Sequence, residues 1–200
     1  MNIMSGLVVL EGIDGCGKST VAELVAARLG KRAWLTQEPT NSWLGMAVRK
    51  GDKAQTSPYT DALLFMADRA QHTLEISRKI SHGKLVVCDR YYHSTVAYQA
   101  VRLRDVFEGD AFEWLLRSNL GISLHPDLTV LLTIPPKLGL LRIAKRKKLS
   151  RFEKEGFLRE VHRNYLKLAR LDRSIVKVDA RQDIDTIVEQ VLSLIEERNI

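Results

Sequence analysis

Five short apolar runs recur along the chain, and stretches with helical periodicity separate them. The runs cover residues 6–12, 33–39, 84–89, 127–134 and 174–180. Nearly continuous apolar runs are typical of strands that are buried on both faces, so the alternation predicts an α/β fold with a five-stranded parallel sheet flanked by helices. Gly30 and Gly83 predict the ends of two helices, the second of which begins near Ser57 and Pro58.

The residues that follow these predicted strands are mostly polar. They are residues 12–19, Glu38 with Pro39, residues 89–92, Thr133 and Asp179. Four of these five segments carry polar or phosphate-binding residue types. Ligands of open parallel sheets bind at the carboxyl ends of the strands, so we predict one active site at this edge.

The length and composition favour a single domain. The 200 residues are 45% apolar and show no break in composition, which predicts a single domain over residues 1–200. No run of about eighteen uncharged apolar residues occurs, and Glu11 and Gly12 come too early for a signal peptide. We therefore expect a cytoplasmic protein that does not bind membranes. Cys16 and Cys88 lack metal or disulfide spacing and are interpreted as reduced small fillers.

The formal net charge is +7, from 31 basic and 24 acidic residues. Such a charge suits nucleic acids, anionic membranes or phosphorylated small molecules. The densest basic run, residues 142–151, has Phe152 as its only aromatic neighbour and so lacks the stacking platform of a single-strand binder. We therefore expect no nucleic-acid partner, and a solvated helix face remains the simplest alternative for this run.

The segment EGIDGCGKST at residues 11–20 carries the clearest chemistry. Its spacing is G-x-x-x-x-G-K-S, and it follows a predicted strand and precedes a predicted helix. Glycines let the backbone N–H groups point at a phosphate, Lys18 reaches the outer phosphates, and the Ser19 hydroxyl binds magnesium. The motif indicates nucleotide binding but does not define the reaction. The predicted ATP-binding residues of this loop are Gly12, Ile13, Asp14, Gly15, Cys16, Gly17, Lys18, Ser19 and Thr20.

Two further residue pairs suggest a second substrate. Asp89 and Arg90 leave the third predicted strand, where the carboxylate can hold magnesium through water and the guanidinium can meet a phosphate. A local ion pair between them is the alternative. Phe65 and Arg69 lie four residues apart on one helix face, which suits a nucleobase stacked on the ring and bound at its edge. The alternative is a core Phe65 and a surface ion pair for Arg69.

Together with the phosphate loop, six further segments resemble the thymidylate kinase family, whose members transfer the γ-phosphate of ATP to dTMP. They are TQEPT at 36–40, LLFMADRAQH at 63–72, DRYYHSTVAYQ at 89–99, PDLTVLLTIPP at 126–136, RIAKR at 142–146 and RFEKEGFLREVHRNYLKLA at 151–169. The resemblance implies a three-layer P-loop kinase fold with a short mobile lid. It also implies ATP and dTMP as substrates, Mg²⁺ as cofactor and a homodimer.

The resemblance also implies roles on the acceptor side. Phe65 would stack on thymine, Arg69 would lie at the edge of the base, and Arg90 would bind the dTMP phosphate. Asp14 would contact the sugar or phosphate region. The remaining implied acceptor residues are Glu38, Arg49, Ser94, Thr95, Tyr98 and Gln99.

On the donor side, the resemblance implies that Arg142 contacts the adenine and that the turn at Asp179 and Ala180 lies beside it. Some members of the family place an arginine in the phosphate loop directly after the acid, whereas others have glycine there and a basic lid. This chain has Gly15 at that position and a basic lid over residues 142–153. The implied catalytic residues are therefore Lys18, Arg90 and a lid arginine, either Arg146 or Arg151, and the implied metal ligands are Ser19 and Asp89.

The chain departs from the family pattern at Thr133, where many members have aspartate, and in the segments 40–43 and 100–106. Two alternatives to a dTMP kinase therefore stay open. One is a kinase for another acceptor, such as dUMP or a deoxynucleoside, and the other is a non-catalytic nucleotide-binding regulator. The presence of Lys18, Asp89 and Arg90 favours catalysis.

Overall fold

A computed structural model describes residues 5–54, 56–144 and 155–200. Its five strands form one parallel sheet in the order β2-β3-β1-β4-β5. The strands are β1 (Gly6–Glu11), β2 (Ala33–Gln37), β3 (Leu85–Asp89), β4 (Leu128–Thr133) and β5 (Ile175–Asp179). The predicted parallel α/β sheet is confirmed, and each strand is one or two residues shorter than its apolar run.

Eight α-helices within the described residues flank this sheet. They are α1 (Lys18–Leu29), α2 (Trp43–Lys53), α3 (Pro58–Ser81), α4 (Tyr92–Leu103), α5 (Ala111–Leu120), α6 (Pro136–Ala144), α7 (Glu155–Leu171) and α8 (Ile184–Glu197). Helix α3 begins where the sequence predicts, because the Ser57 side chain accepts a hydrogen bond from the Thr60 amide and Pro58 occupies the first turn. None of the helices in the described ranges is long and apolar enough to cross a membrane.

The central strands of the sheet are more buried than its edge strands. Every residue of β1 and β3 is buried, so both faces of these strands are covered, whereas the edge strands β2 and β5 are largely half-buried or exposed. Leu10 pairs with Asp89, and Asp89 pairs with Gln37 on its other side, so the carboxyl ends of three strands lie at one edge. Strand order reverses beside β1, which places the expected ligand crevice beyond its carboxyl end.

The predicted basic lid over residues 142–153 falls mostly outside the described residues. Helix α6 ends at Ala144, and the description resumes at Glu155 with α7. Arg142 therefore lies on a described helix. Arg146 and Arg151 lie outside the described residues.

Candidate active site

The phosphate loop joins β1 to α1 through three glycines in conformations that other residues avoid. Gly12, Gly15 and Gly17 have φ values of 141°, 82° and 97°. Helix α1 begins directly afterwards at Lys18, so its first amide groups face the loop. The buried Lys18 ammonium donates to the Ile13 carbonyl oxygen over 3.1 Å. The loop therefore has the backbone form expected of a phosphate-binding loop, and the Lys18 side chain folds back onto the loop's own backbone.

The same loop packs directly on α6. A Cβ atom added at Gly15 would overlap the backbone of Gly139, and one added at Gly139 would lie 2.7 Å from the Asp14 carbonyl oxygen. Both positions therefore need glycine for close backbone contact. This packing brings α6, which carries Arg142, against the loop.

Ser19 and Asp89, the predicted metal ligands, lie together. The Ser19 hydroxyl donates to Asp89 Oδ2 over 2.5 Å. Asp89 Oδ1 is buried and has no hydrogen-bond partner among the described residues. A hydroxyl and a carboxylate with spare lone pairs fit Mg²⁺, which is held by few protein groups together with waters and substrate phosphates.

Arg90 contacts the phosphate loop rather than Asp89. Its guanidinium forms an ion pair with Asp14, and its Nη1 donates to Ser94 Oγ over 3.3 Å. The Tyr98 hydroxyl accepts from the Asp14 amide over 3.1 Å and donates to Asp14 Oδ2 over 2.9 Å. The alternative of a local Asp89–Arg90 pair is therefore wrong, since the acid that pairs with Arg90 comes from the loop.

Asp14 and Arg90 each stabilise the charged form of the other. Burial would raise the pKa of the Asp14 carboxyl, but the charges of Arg90 and Lys18 outweigh it and hold that pKa below its usual value. Burial would likewise lower the pKa of Arg90, but Asp14 raises it well above its usual value. The pair is consequently charged at neutral pH.

Arg69 lies in a buried network, so the alternative of a surface ion pair is wrong. Its Nη2 donates to Glu38 Oε2 over 2.5 Å, and its Nη1 donates to Asn119 Oδ1 over 2.6 Å. The other oxygen of Glu38 lies 3.0 Å from His72 Nδ1. Arg69 Nε is buried and has no hydrogen-bond partner in the described parts of the chain. Glu38 therefore orients Arg69 with both of its oxygens engaged.

The other predicted acceptor residues lie on α2, α3 and α4. Exposed Arg49 donates to the carbonyl oxygens of Pro39 and Thr40, which fastens α2 to the loop after β2. Phe65 is half-buried on α3. Thr95 and Gln99 are buried on α4, and Thr95 Oγ1 lacks a hydrogen-bond partner among the described residues. Because α3 and α4 pack together, these side chains lie on neighbouring helices.

The predicted adenine residues meet at the carboxyl end of β5. Arg142 Nη1 donates to the Ala180 carbonyl oxygen over 3.1 Å. Hydrogen bonds from Arg181 lower the pKa of Asp179 to about 2. Thr133 donates to the Val178 carbonyl oxygen over 3.1 Å, so it joins β4 to β5 at this edge.

Sequence reasoning missed several residues that hold the site together, namely Glu11, His72, Asn119 and Tyr165. The signal for Glu11 was present, because a carboxylate at the end of an apolar strand must find partners when it is buried. Asn119 and Tyr165 lie far along the chain from the residues they contact, so local patterns carry no sign of them.

A parallel sheet of this order, a phosphate loop after its first strand and an arginine beside that loop define a P-loop nucleotide kinase. The sequence profile of the thymidylate kinase family matches residues 10–191. The chain therefore belongs to the thymidylate kinase family, and it is a phosphotransferase.

Individual relatives agree with this assignment. The chain is 39% identical over 192 residues to the probable thymidylate kinase of Methanococcoides burtonii, covering 94% of this chain and 95% of the relative. It is 40% identical over 200 residues to that of Pyrococcus horikoshii, covering 94% of each chain. The solved structure of the thymidylate kinase from Candida albicans matches with a TM-score of 0.82 at 26% identity, over 98% of this chain and 94% of the other. The family predicted from the sequence is confirmed.

Proposed function

We propose that this chain transfers the γ-phosphoryl group of ATP directly to the phosphate of dTMP, giving dTDP and ADP, in the crevice beyond β1. The observation that carries this proposal is the ion pair between Asp14 and Arg90. Asp14 belongs to the loop that binds ATP, and Arg90 precedes α4, which carries acceptor residues. A phosphate held by Arg90 would therefore lie next to the phosphates held by the loop.

On the donor side, the amides of residues 12–19 and the Lys18 ammonium bind the ATP phosphates. Arg142, held by the Ala180 carbonyl, flanks the adenine together with the turn at Asp179. Ser19 and Asp89 hold Mg²⁺, which when bound neutralises charge on the phosphate oxygens. The spare oxygen of Asp89 supports this assignment.

The transfer needs no covalent enzyme intermediate, because the dTMP phosphate is itself the nucleophile. Catalysis is then positioning and charge neutralisation. Lys18 and Arg90 supply positive charge from the described residues. A lid arginine, Arg146 or Arg151, completes the set by closing over the transferred group and excluding water, and both residues lie outside the described part of the chain.

For the acceptor, we assign the thymine to the space between α3 and α4. Phe65 stacks on the base, and Arg69 reads its edge from the position that Glu38 fixes. Arg69 Nε and Thr95 Oγ1 are buried polar atoms without hydrogen-bond partners among the described residues. Buried polar atoms normally have a partner, so we propose that these two form hydrogen bonds with the bound nucleotide. The pocket is completed by Asp14, Arg49, Ser94, Tyr98 and Gln99.

We also propose a homodimer that forms through α3. Leu63, Ala67, Ala70 and Leu74 follow helical spacing along one face, and the two leucines are each 53% exposed. Leu63→Glu should shift the sedimentation coefficient towards that of a monomer. Leu171→Glu, at an exposed leucine on α7, should leave the sedimentation coefficient unchanged.

We also propose a cytoplasmic location, because both cysteines are free and buried, which suits a reducing compartment.

An acceptor panel tests the reaction. ADP release would be measured with dTMP, dUMP, other nucleoside monophosphates and thymidine, each at saturating ATP and Mg²⁺. We expect the highest kcat/KM with dTMP and no turnover of thymidine. Phosphorylation of thymidine without that of dTMP would overturn the proposal, and binding of ATP with no acceptor turned over would indicate a regulator instead.

A further inference from the structure

Glu11, the last residue of β1, is fully buried and accepts four hydrogen bonds. The amides of Tyr91 and Ser94 donate to Oε1 over 2.8 and 3.1 Å. The hydroxyls of Ser94 and Tyr165 donate to Oε2 over 2.6 and 2.9 Å. These donors belong to the start of α4 and to α7, so one carboxylate joins β1 to two helices.

The carboxylate acts as the cap of α4. Tyr91 holds the N-cap position and its side chain makes no capping hydrogen bond, so the first amides of the helix need partners from elsewhere. Glu11 supplies them from the neighbouring strand, and its negative charge suits a helix N-terminus. The direction in which α4 leaves the sheet therefore depends on Glu11.

Arg90 is the residue directly before this cap. Its φ of 71° lies in the left-handed region, which residues other than glycine rarely adopt. Bonds on both sides hold it there. The Arg90 amide donates to the Leu10 carbonyl oxygen over 3.0 Å, and the next amide, of Tyr91, donates to Glu11. Glu11 thus helps to fix the backbone from which the Arg90 guanidinium reaches Asp14.

We propose that Glu11 is a positioning residue for phosphoryl transfer, whose carboxylate orients Arg90 towards the acceptor phosphate without touching either substrate. The inference rests on the proposed function, since it takes Arg90 as the ligand of the dTMP phosphate. Gly12, the first glycine of the ATP loop, follows Glu11 directly. The same strand end therefore aligns the donor loop and the acceptor arginine.

The test compares dTMP with thymidine, which lacks the phosphate. Glu11→Gln keeps the size of the side chain but removes its charge and replaces one acceptor by a donor. The loss of the charge-assisted hydrogen bonds to Glu11 should weaken dTMP binding about tenfold or more. Isothermal titration calorimetry measures this change. Thymidine affinity should change less than about twofold, and kcat should fall at least about tenfold with the KM for ATP unchanged.

A double-mutant cycle separates positioning from general loss of structure. In an Arg90→Ala background, Glu11→Gln should weaken dTMP binding no further, because the group that it orients is gone. If Glu11→Gln weakens dTMP and thymidine equally, or has its full effect without Arg90, the inference is overturned. The matched control is Glu189→Gln, the same chemical change at an exposed glutamate of α8 that pairs with Arg28, and it should keep dTMP affinity within about twofold.

Glu11→Asp covers the case in which Glu11→Gln does not fold. It keeps the charge but withdraws it by one methylene, so the same selective loss of dTMP affinity is expected, and an equal loss for thymidine would again overturn the inference. The wild-type chain distinguishes the two proposals. If it turns over no dTMP, the proposed function fails. If it does and the variants weaken dTMP and thymidine binding alike, only the role of Glu11 fails.

Discussion

The guanidinium of Arg69 and the carboxylate of Glu38 form an ion pair of 2.5 Å with 1% and 3% of their side chains exposed. Glu38 follows β2 and Arg69 lies on α3, and Asn119 on α5 holds the other side of the guanidinium. A desolvated ion pair needs such additional hydrogen bonds to offset the loss of water. The network therefore gives one buried arginine a fixed orientation between three parts of the fold.

Glu38→Gln should destabilise the chain by about 3–5 kcal/mol, because it leaves the buried Arg69 charge without its counter-charge. Urea unfolding followed by circular dichroism measures this. The matched control is Glu189→Gln, which breaks the Arg28–Glu189 pair of 2.7 Å with side chains that are 54% and 60% exposed. That change should cost less than about 1 kcal/mol. Equal losses in the two variants would contradict the role of burial.

Arg90→Ala should lower kcat for dTMP phosphorylation by two orders of magnitude or more, about the effect of removing one donor that stabilises developing charge. The reason is that no second arginine in the described residues pairs with Asp14 beside the phosphate loop. Steady-state ADP release at saturating substrates checks this, with Arg28→Ala as a control, because Arg28 lies in the last turn of α1 and pairs with exposed Glu189. Near-normal turnover would refute the assigned role of Arg90.

The sheet and the phosphate loop could be predicted because residues that are neighbours in sequence determine each of them. Central strands bury both faces and therefore appear as apolar runs, and the loop needs glycine, lysine and serine at fixed spacing. The predicted metal pair of Ser19 and Asp89 also follows from local signals, since each residue lies at the end of a predicted strand or start of a helix. The structure brings the two within 2.5 Å.

The partners of the arginines could not be predicted in this way. Arginine is seldom buried, so a surface ion pair was a reasonable alternative for Arg69. Its burial depends on Glu38 and Asn119, which are 31 and 50 residues away in sequence. Arg90 likewise pairs with Asp14, 76 residues away, rather than with adjacent Asp89. Only the folded chain determines such pairings.

Gly15→Ala should cost more stability than Gly17→Ala, by about 1–3 kcal/mol. Both glycines have positive φ, 82° and 97°, so the backbone strain of an alanine is similar. A Cβ at Gly17 meets no described atom within 4 Å, whereas one at Gly15 meets the backbone of Gly139. Urea unfolding without nucleotide isolates this difference from any effect on ATP. If both variants lose the same unfolding free energy, α6 can move away from the loop without destabilising the chain.

Asp14→Asn should destabilise the chain at neutral pH by about 1–3 kcal/mol, because Arg90 loses its counter-charge. The pKa of Asp14 is lowered in the folded state, so its contribution is complete above the ordinary carboxyl pKa of about 3.9 and is lost as the pH falls through the lowered value. The difference in unfolding free energy between wild type and variant should therefore be constant from about pH 7 to pH 5 and shrink below about pH 4. A difference that grows on acidification would contradict this sign.

Ser19→Ala should raise the Mg²⁺ concentration needed for half-maximal activity by about ten- to a hundredfold, the range typical of lost metal-site contacts. The Ser19 hydroxyl already lies 2.5 Å from the Asp89 carboxylate, so a Mg²⁺ ion held here would compete with their mutual hydrogen bond for these oxygen atoms. Titration of activity with Mg²⁺ at fixed ATP measures the shift. The affinity for ATP in the presence of EDTA serves as the control, because it depends on the loop amides and Lys18 and should not change. If ATP binding in EDTA weakens as much as the Mg²⁺ response, the substitution has disturbed the loop itself. An unchanged Mg²⁺ requirement would exclude Ser19 from the metal site.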